Sequence, residues 1–157
     1  TAWVAVTDAN EKNGCMRMLP GSHKENLKTH EQKFDENNLL TRGQTVKNVS
    51  LEKTEPIILK AGQVSLHHPT IVHGSGLNNS NDRRIGFVIQ SYIGTNVKQI
   101  LGKNSVQLAR GIDEFNNHQK IGRPDKLLDK LDLKIKKREN DNLQEIFYKG
   151  SPKKGNF

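Results

Sequence analysis

Three histidines and two arginines fall within eighteen residues: His67, His68 and His73, then Gly74-Ser75-Gly76, then Arg83-Arg84. Neutral imidazole is a common ligand for iron and zinc. The planar guanidinium of arginine clamps a carboxylate through two parallel hydrogen bonds. A histidine and an arginine on adjacent antiparallel strands would reach the two ends of one small chelating acid. Spacing alone is equally compatible with a structural histidine and a surface arginine. Cysteine chemistry is narrow: Cys15 is the only cysteine, which excludes an internal disulfide and Cys-based zinc sites. A reducing, cytoplasmic setting is expected.

Short strands must position these residues. Ala2 to Val6 alternates around Trp3, and Cys15 to Leu19 reads as the returning strand after Asn13-Gly14, a dipeptide that favours a hairpin turn. Residues 24–54 are polar, with few apolar anchors, and read as a long excursion with a short helix. Further strands are predicted at Pro56–Lys60, at Gln63–His68 resuming after Pro69 at Thr70–His73, and at Arg83–Ile93, the longest. In that last strand Arg83 and Arg84 have opposite side-chain parity. Many short strands with turns between them indicate an all-β sandwich or barrel. Beyond Gly94 the pattern weakens, with helical spacing at Leu127, Leu128 and Leu131 and again at Leu143, Ile146 and Phe147. Ser151 to Phe157 reads as disordered.

With 157 residues the chain has room for one domain with a real core. No apolar run approaches the roughly 20 residues needed to span a bilayer, so no membrane partner is expected. The chain opens in mid-pattern without Met and without a signal peptide, which reads as a fragment. Residues 117–157 hold eleven Lys/Arg and six Asp/Glu, so that segment carries +5 of the +8 net charge. A basic tail of this kind reads as solvated surface. The few aromatics lack a stacking pattern, which argues against nucleic acid as a partner.

The ordered set Trp-x-Ala-x-x-Asp, Asn-Gly-Cys-Met, Pro-Gly-Ser-His, Gly-Gln-x-x-x-His-His, His-Gly-Ser-Gly-x-Asn and Arg-Arg-Ile-Gly, from Thr1 to Gly111, resembles the phytanoyl-CoA dioxygenase-like family of iron(II)- and 2-oxoglutarate-dependent oxygenases. The similarity is greatest to the branch of non-haem iron halogenases and hydroxylases. It implies an all-β fold, the C-terminal half of a double-stranded β-helix (a cupin-like jelly roll), with a polar, partly helical C-terminal tail. The expected domains are 1–116, a partial oxygenase domain with a 24–54 lid, and 117–157, a basic and partly disordered extension.

Residue by residue, the resemblance makes His73 the distal iron ligand. Arg84, eleven positions later, matches the arginine that pairs with the far carboxylate of 2-oxoglutarate, and Ser75 the serine beside it. His67 and His68 match no ligand position and are expected to stabilise a turn or support the site. Trp3 is read as packing, Asp8 as a loop anchor, His23 as structural and Asn78 as shaping the loop between the site strands. The implied cofactors are Fe(II) and 2-oxoglutarate, with chloride where the third ligand is a small residue. The implied partner is a small-molecule substrate.

One departure is serious: no His-x-Asp occurs anywhere in the 157 residues, and no histidine precedes His23. The chain as given therefore holds one metal ligand of three and is expected to be inactive alone. The rival expectation is a non-catalytic β-barrel binding module that has lost its metal site.

Overall fold

The computed structural model describes residues 1–32, 40, 43–90, 92–124 and 126–150. It divides into two units, residues 1–31 with 44–92 and residues 32–43 with 93–157.

The first unit carries the short strands: β1 (Ala2–Ala5), β2 (Met16–Met18), β3 (His30–Gln32, whose last residue falls in the second unit), β4 (Gln44–Val46), β5 (Glu55–Pro56), β6 (Val64–Leu66), β7 (His73–Ser75) and β8 (Gly86–Ile89). They form two three-stranded antiparallel sheets, β6-β1-β8 and β5-β2-β7, and the pair β3-β4.

Alternation sets the faces. On β1, Trp3 and Ala5 are buried, and so are Met16 and Met18 on β2, while Arg17 between them points away. These residues join Ala9 and Cys15 in one core, with Ile57, Leu59 and Ile71 packed against it. Arg17 ties the neighbouring loop by donating to the Thr54 hydroxyl at 2.8 Å and the Thr54 carbonyl at 2.7 Å.

The other face of the β6-β1-β8 sheet is apolar too. The register aligns Leu66, Ala2 and Ile89 in one row and Val64, Val4 and Phe87 in the next. Leu66 and Phe87 are 74% and 62% exposed there.

The Asn13-Gly14 turn forms, but not as a hairpin. Both edges of β1 are taken by β6 and β8, so β2 enters the other sheet. The turn is a crossover pinned by Asn13, whose side chain donates to the Asp8 carbonyl at 2.8 Å and accepts from the Asn10 amide at 2.8 Å. Gly14 has φ 74°, and a Cβ there would lie 2.8 Å from the Gly76 carbonyl oxygen. Similarly, the stretches on either side of Pro69 are not one interrupted strand, since β6 and β7 lie in different sheets. The predicted Arg83–Ile93 strand shrinks to Gly86–Ile89, because its pairing with β1 ends at Ala2↔Ile89. Within 24–54 the described residues form β3, β4 and a 3-10 turn at Leu51–Lys53 in place of the expected helix; 33–39 and 41–42 lie outside the described residues.

In the second unit, the two expected helical stretches are one helix, α1 (Lys130–Phe147). Asp129 caps it by accepting from the Leu131 amide at 2.9 Å, which starts the helix after Leu127 and Leu128. Leu128 has φ 59°, incompatible with a helix reaching back to it. The helix is held to a preceding loop by Glu139, which accepts from the Ser105 amide at 2.9 Å and from Asn104 Nδ2 at 3.0 Å. No helix among the described residues is long and apolar enough to cross a membrane. The expected disorder of Ser151–Phe157 concerns residues outside those described.

Candidate functional site

β7 presents His73 and Ser75 on one face, two residues apart, opposite Met18 and Met16 of β2. Nδ1 of His73 lies 2.8 Å from the Ile71 carbonyl oxygen. A carbonyl only accepts, so Nδ1 is the donor, and in the neutral ring Nε2 keeps its lone pair. That arrangement fixes both ring and tautomer for a metal-ligating histidine.

Arg84 lies two residues before β8, in phase with Gly86, whose Cα faces the indole of Trp3. Its guanidinium donates from Nη2 to the Ser75 hydroxyl at 3.3 Å, and Cζ sits 5.7 Å from the Trp3 ring centroid. Arg83, of opposite parity, is exposed. Arg84, not Arg83, is thus the one of the two that reaches Ser75. The strand relation differs from the expectation: β7 and β8 are not neighbours in one sheet. Arg84 reaches Ser75 from one sheet to the other, a juxtaposition that strand order along the chain does not reveal. Among the described residues no carboxylate pairs with Arg84, whose bond to Ser75 is solvent-exposed.

His67 joins this group. Its ring centroid is 5.6 Å from that of His73, with the planes inclined by 51°. Nδ1 is 3.2 Å from the Ser65 hydroxyl. Burial, then the neighbouring His73 and the N-terminal ammonium, lowers its pKa and so favours the neutral ring. Sequence reasoning left His67 without a definite place; its parity with Ser65 on the inward-facing edge of β6 was the available signal. His68 instead braces its own turn through Nδ1 and the Thr70 hydroxyl, 2.8 Å apart. His23 packs against His68 at 5.7 Å between ring centroids. Asp8 anchors the 60–61 turn, accepting from Lys60 Nζ and the Ala61 amide, both at 2.8 Å. Asn78 shapes the loop before Arg83 by donating to the Asp82 carbonyl at 2.7 Å.

Among the described residues no three His, Cys, Asp or Glu side chains converge as a metal-binding group. His73 suits iron as one ligand, with a lone pair on Nε2 and an oriented ring. The donors among the described residues do not complete a site.

The family model for phytanoyl-CoA dioxygenase matches residues 1–86, more than half of the chain and inclusive of His73, Ser75 and Arg84. The chain belongs to the phytanoyl-CoA dioxygenase family. Human peroxisomal phytanoyl-CoA dioxygenase is 30% identical over 84 residues, 53% of this chain and 25% of that protein. A Stutzerimonas stutzeri protein described as a probable alpha-ketoglutarate-dependent hypophosphite dioxygenase is 33% identical over 104 residues, 65% of this chain and 36% of that one. Among solved structures, the apo form of the non-heme monooxygenase ThoJ superposes with a TM-score of 0.75 at 26% identity, covering 94% of this chain and 52% of ThoJ. This family member thus spans about half of ThoJ and 25% to 36% of those curated relatives.

Proposed function

We propose that this chain is the C-terminal half of a double-stranded β-helix oxygenase domain. The complete domain would use iron(II) and 2-oxoglutarate to hydroxylate, or halogenate, a small-molecule substrate. The observation that carries the reading is Arg84: a guanidinium with no carboxylate partner among the described residues, hydrogen-bonded to Ser75, which shares a strand face with His73. A guanidinium without an internal carboxylate partner is open to the two-pronged contact of an anionic ligand.

The residues divide the work. His73 donates Nε2 to the metal, and its Nδ1 bond to Ile71 stops the ring from turning. Arg84 takes the remote carboxylate of 2-oxoglutarate, with the Ser75 hydroxyl beside it. Two anchored ends leave the keto acid one orientation. Iron(II), when bound, supplies the oxygen activation that accompanies decarboxylation of 2-oxoglutarate to succinate. The other metal ligands would come from sequence beyond these 157 residues, and chloride would enter where the third ligand is a small residue.

A second reading, a non-catalytic binding module, is favoured by one observation: His73 stands without a His-x-Asp anywhere in the chain. The deciding experiment is succinate formation from 2-oxoglutarate with iron(II), in a chain extended to the length of its relatives. Iron-dependent succinate supports the oxygenase. Binding of 2-oxoglutarate without any succinate supports the module.

A further inference from the structure

In the function proposed above His73 is the one residue of this chain that touches the metal, and His67 has no part. The structure nevertheless brings the two rings together. Ser65 pairs with Trp3 across β6 and β1, and Trp3 is buried, so Ser65 and His67, two residues on, share the inward side of that edge. His67 meets β7 at its His73 end, with 5.6 Å between ring centroids and 51° between the planes. Arg84 meets the same strand at its other end, at Ser75. His67 thus lies beside the metal end of β7, not the carboxylate end. Among the described residues no carboxylate or thiol joins the two imidazoles.

The spacing suits two imidazoles on one ion. A ligating nitrogen sits about 2.0–2.1 Å from zinc, which puts its ring centroid about 3.2 Å away, so a tetrahedral angle separates two such centroids by about 5.2 Å. The observed 5.6 Å is close to that value. Both rings also engage an oxygen through Nδ1: His73 the Ile71 carbonyl at 2.8 Å, His67 the Ser65 hydroxyl at 3.2 Å. In each ring Nε2 is the nitrogen left for a ligand. We propose that His67 and His73 together form a two-imidazole site, open to water, for a borderline divalent transition metal such as Ni(II), Co(II) or Zn(II). This inference rests on the reading of His73 as a metal ligand, and it adds a nitrogen that the resemblance assigns to no ligand position. Two neutral nitrogens without a charged donor favour borderline ions, whereas Mg(II) and Ca(II) prefer oxygen ligands. Affinity at such donors rises from Fe(II) through Co(II) to Ni(II). The Ser65 hydroxyl orients the His67 ring from behind, as outer partners of metal-bound imidazoles do.

Two measurements on this chain test it. The first is calorimetric titration with Ni(II), Fe(II) and Mg(II), each alone. The wild type should bind one Ni(II), about ten- to hundredfold more tightly than Fe(II), and should not bind Mg(II). His67→Phe, which keeps the ring's bulk without its nitrogens, and His73→Ala should each weaken Ni(II) by about a hundredfold. Ser65→Ala, which leaves both donors in place, should weaken it by about tenfold. His68→Ala should bind Ni(II) as the wild type does. The second measurement is the histidine nitrogen spectrum during Zn(II) addition. The Nε2 resonances of His67 and His73 should move together, while those of His23 and His118 stay in place. Should His67→Phe fail to fold, His67→Gln and the paired shifts in the wild type decide the matter.

The outcomes separate this inference from the reading beneath it. Loss of Ni(II) in His73→Ala with unchanged affinity in His67→Phe, or a Zn(II) shift confined to His73, overturns the pair and leaves the metal role of His73 intact. Undiminished Ni(II) affinity in His73→Ala overturns both. No Ni(II) binding by the wild type overturns the pair, and the metal role of His73 then rests on iron titration of the longer chain.

Discussion

Glu139 on α1 should make the second unit acid-labile in a narrow window. Burial raises its pKa, but hydrogen bonds from Arg138, the Ser105 amide and Asn104 outweigh that and bring it from 4.5 down to about 2. The contacts are short: Arg138 Nη2 at 2.7 Å, the Ser105 amide at 2.9 Å and Asn104 Nδ2 at 3.0 Å. The shift corresponds to a ceiling of about 3 kcal/mol. Arg138 is nearly half exposed, so solvent screening reduces the figure to about 1–2 kcal/mol. Because the folded pKa is depressed, the stabilisation is complete above the unfolded value of about 4.5 and is lost as pH falls toward 2. Glu139→Gln should therefore lower stability by about 1–2 kcal/mol at pH 7, and the difference from wild type should vanish near pH 2. Urea unfolding of both proteins across this range measures it. A difference that does not change with pH, or a carboxyl resonance of Glu139 that titrates at the ordinary value, refutes the reasoning.

The buried Cys15 thiol, raised by desolvation and by Glu11, should resist alkylation in the folded state at neutral pH and react only as the first unit opens. Its labelling rate against urea concentration checks this, and prompt labelling of the folded chain would contradict it. The apolar outer face of β6-β1-β8 should make the isolated chain self-associate. Leu66→Ser with Phe87→Ser should shift sedimentation toward monomer, whereas a monodisperse wild-type monomer would remove the premise.

The legible parts of the site were those governed by local rules. Strand alternation puts Arg84 and Arg83 on opposite faces, and it places Ser75 on the same face as His73. The roles of Asp8 and Asn78 follow from short polar side chains beside turns. Pairing was another matter, because strand partners are set by contacts far apart in sequence. Asn13-Gly14 carries a hairpin's dipeptide, yet β1 is flanked by β6 and β8, which arrive some sixty and eighty residues later. The extent of β8 was hidden for the same reason, since its apolar alternation runs past the end of its partner. The indole beneath Arg84 was equally invisible, because Trp3 and Gly86 meet only after β1 and β8 pair. At the other end of the chain, the Asp129 cap was the overlooked signal that begins α1 after Leu128.

The central claim is a division of labour in which His73 holds the metal and Arg84 holds the cosubstrate. The most direct measurement is parallel titration of iron(II) and 2-oxoglutarate into wild type, His73→Ala, Arg84→Ala and Arg84→Lys, in a chain of its relatives' length. His73→Ala should lose iron. Arg84→Ala should keep iron but bind 2-oxoglutarate about two to three orders of magnitude more weakly, as expected for a carboxylate deprived of its charged partner. Arg84→Lys should recover only part, because an ammonium lacks the two-pronged contact. Stoichiometric iron in His73→Ala, or unchanged 2-oxoglutarate affinity in Arg84→Ala, would contradict the account.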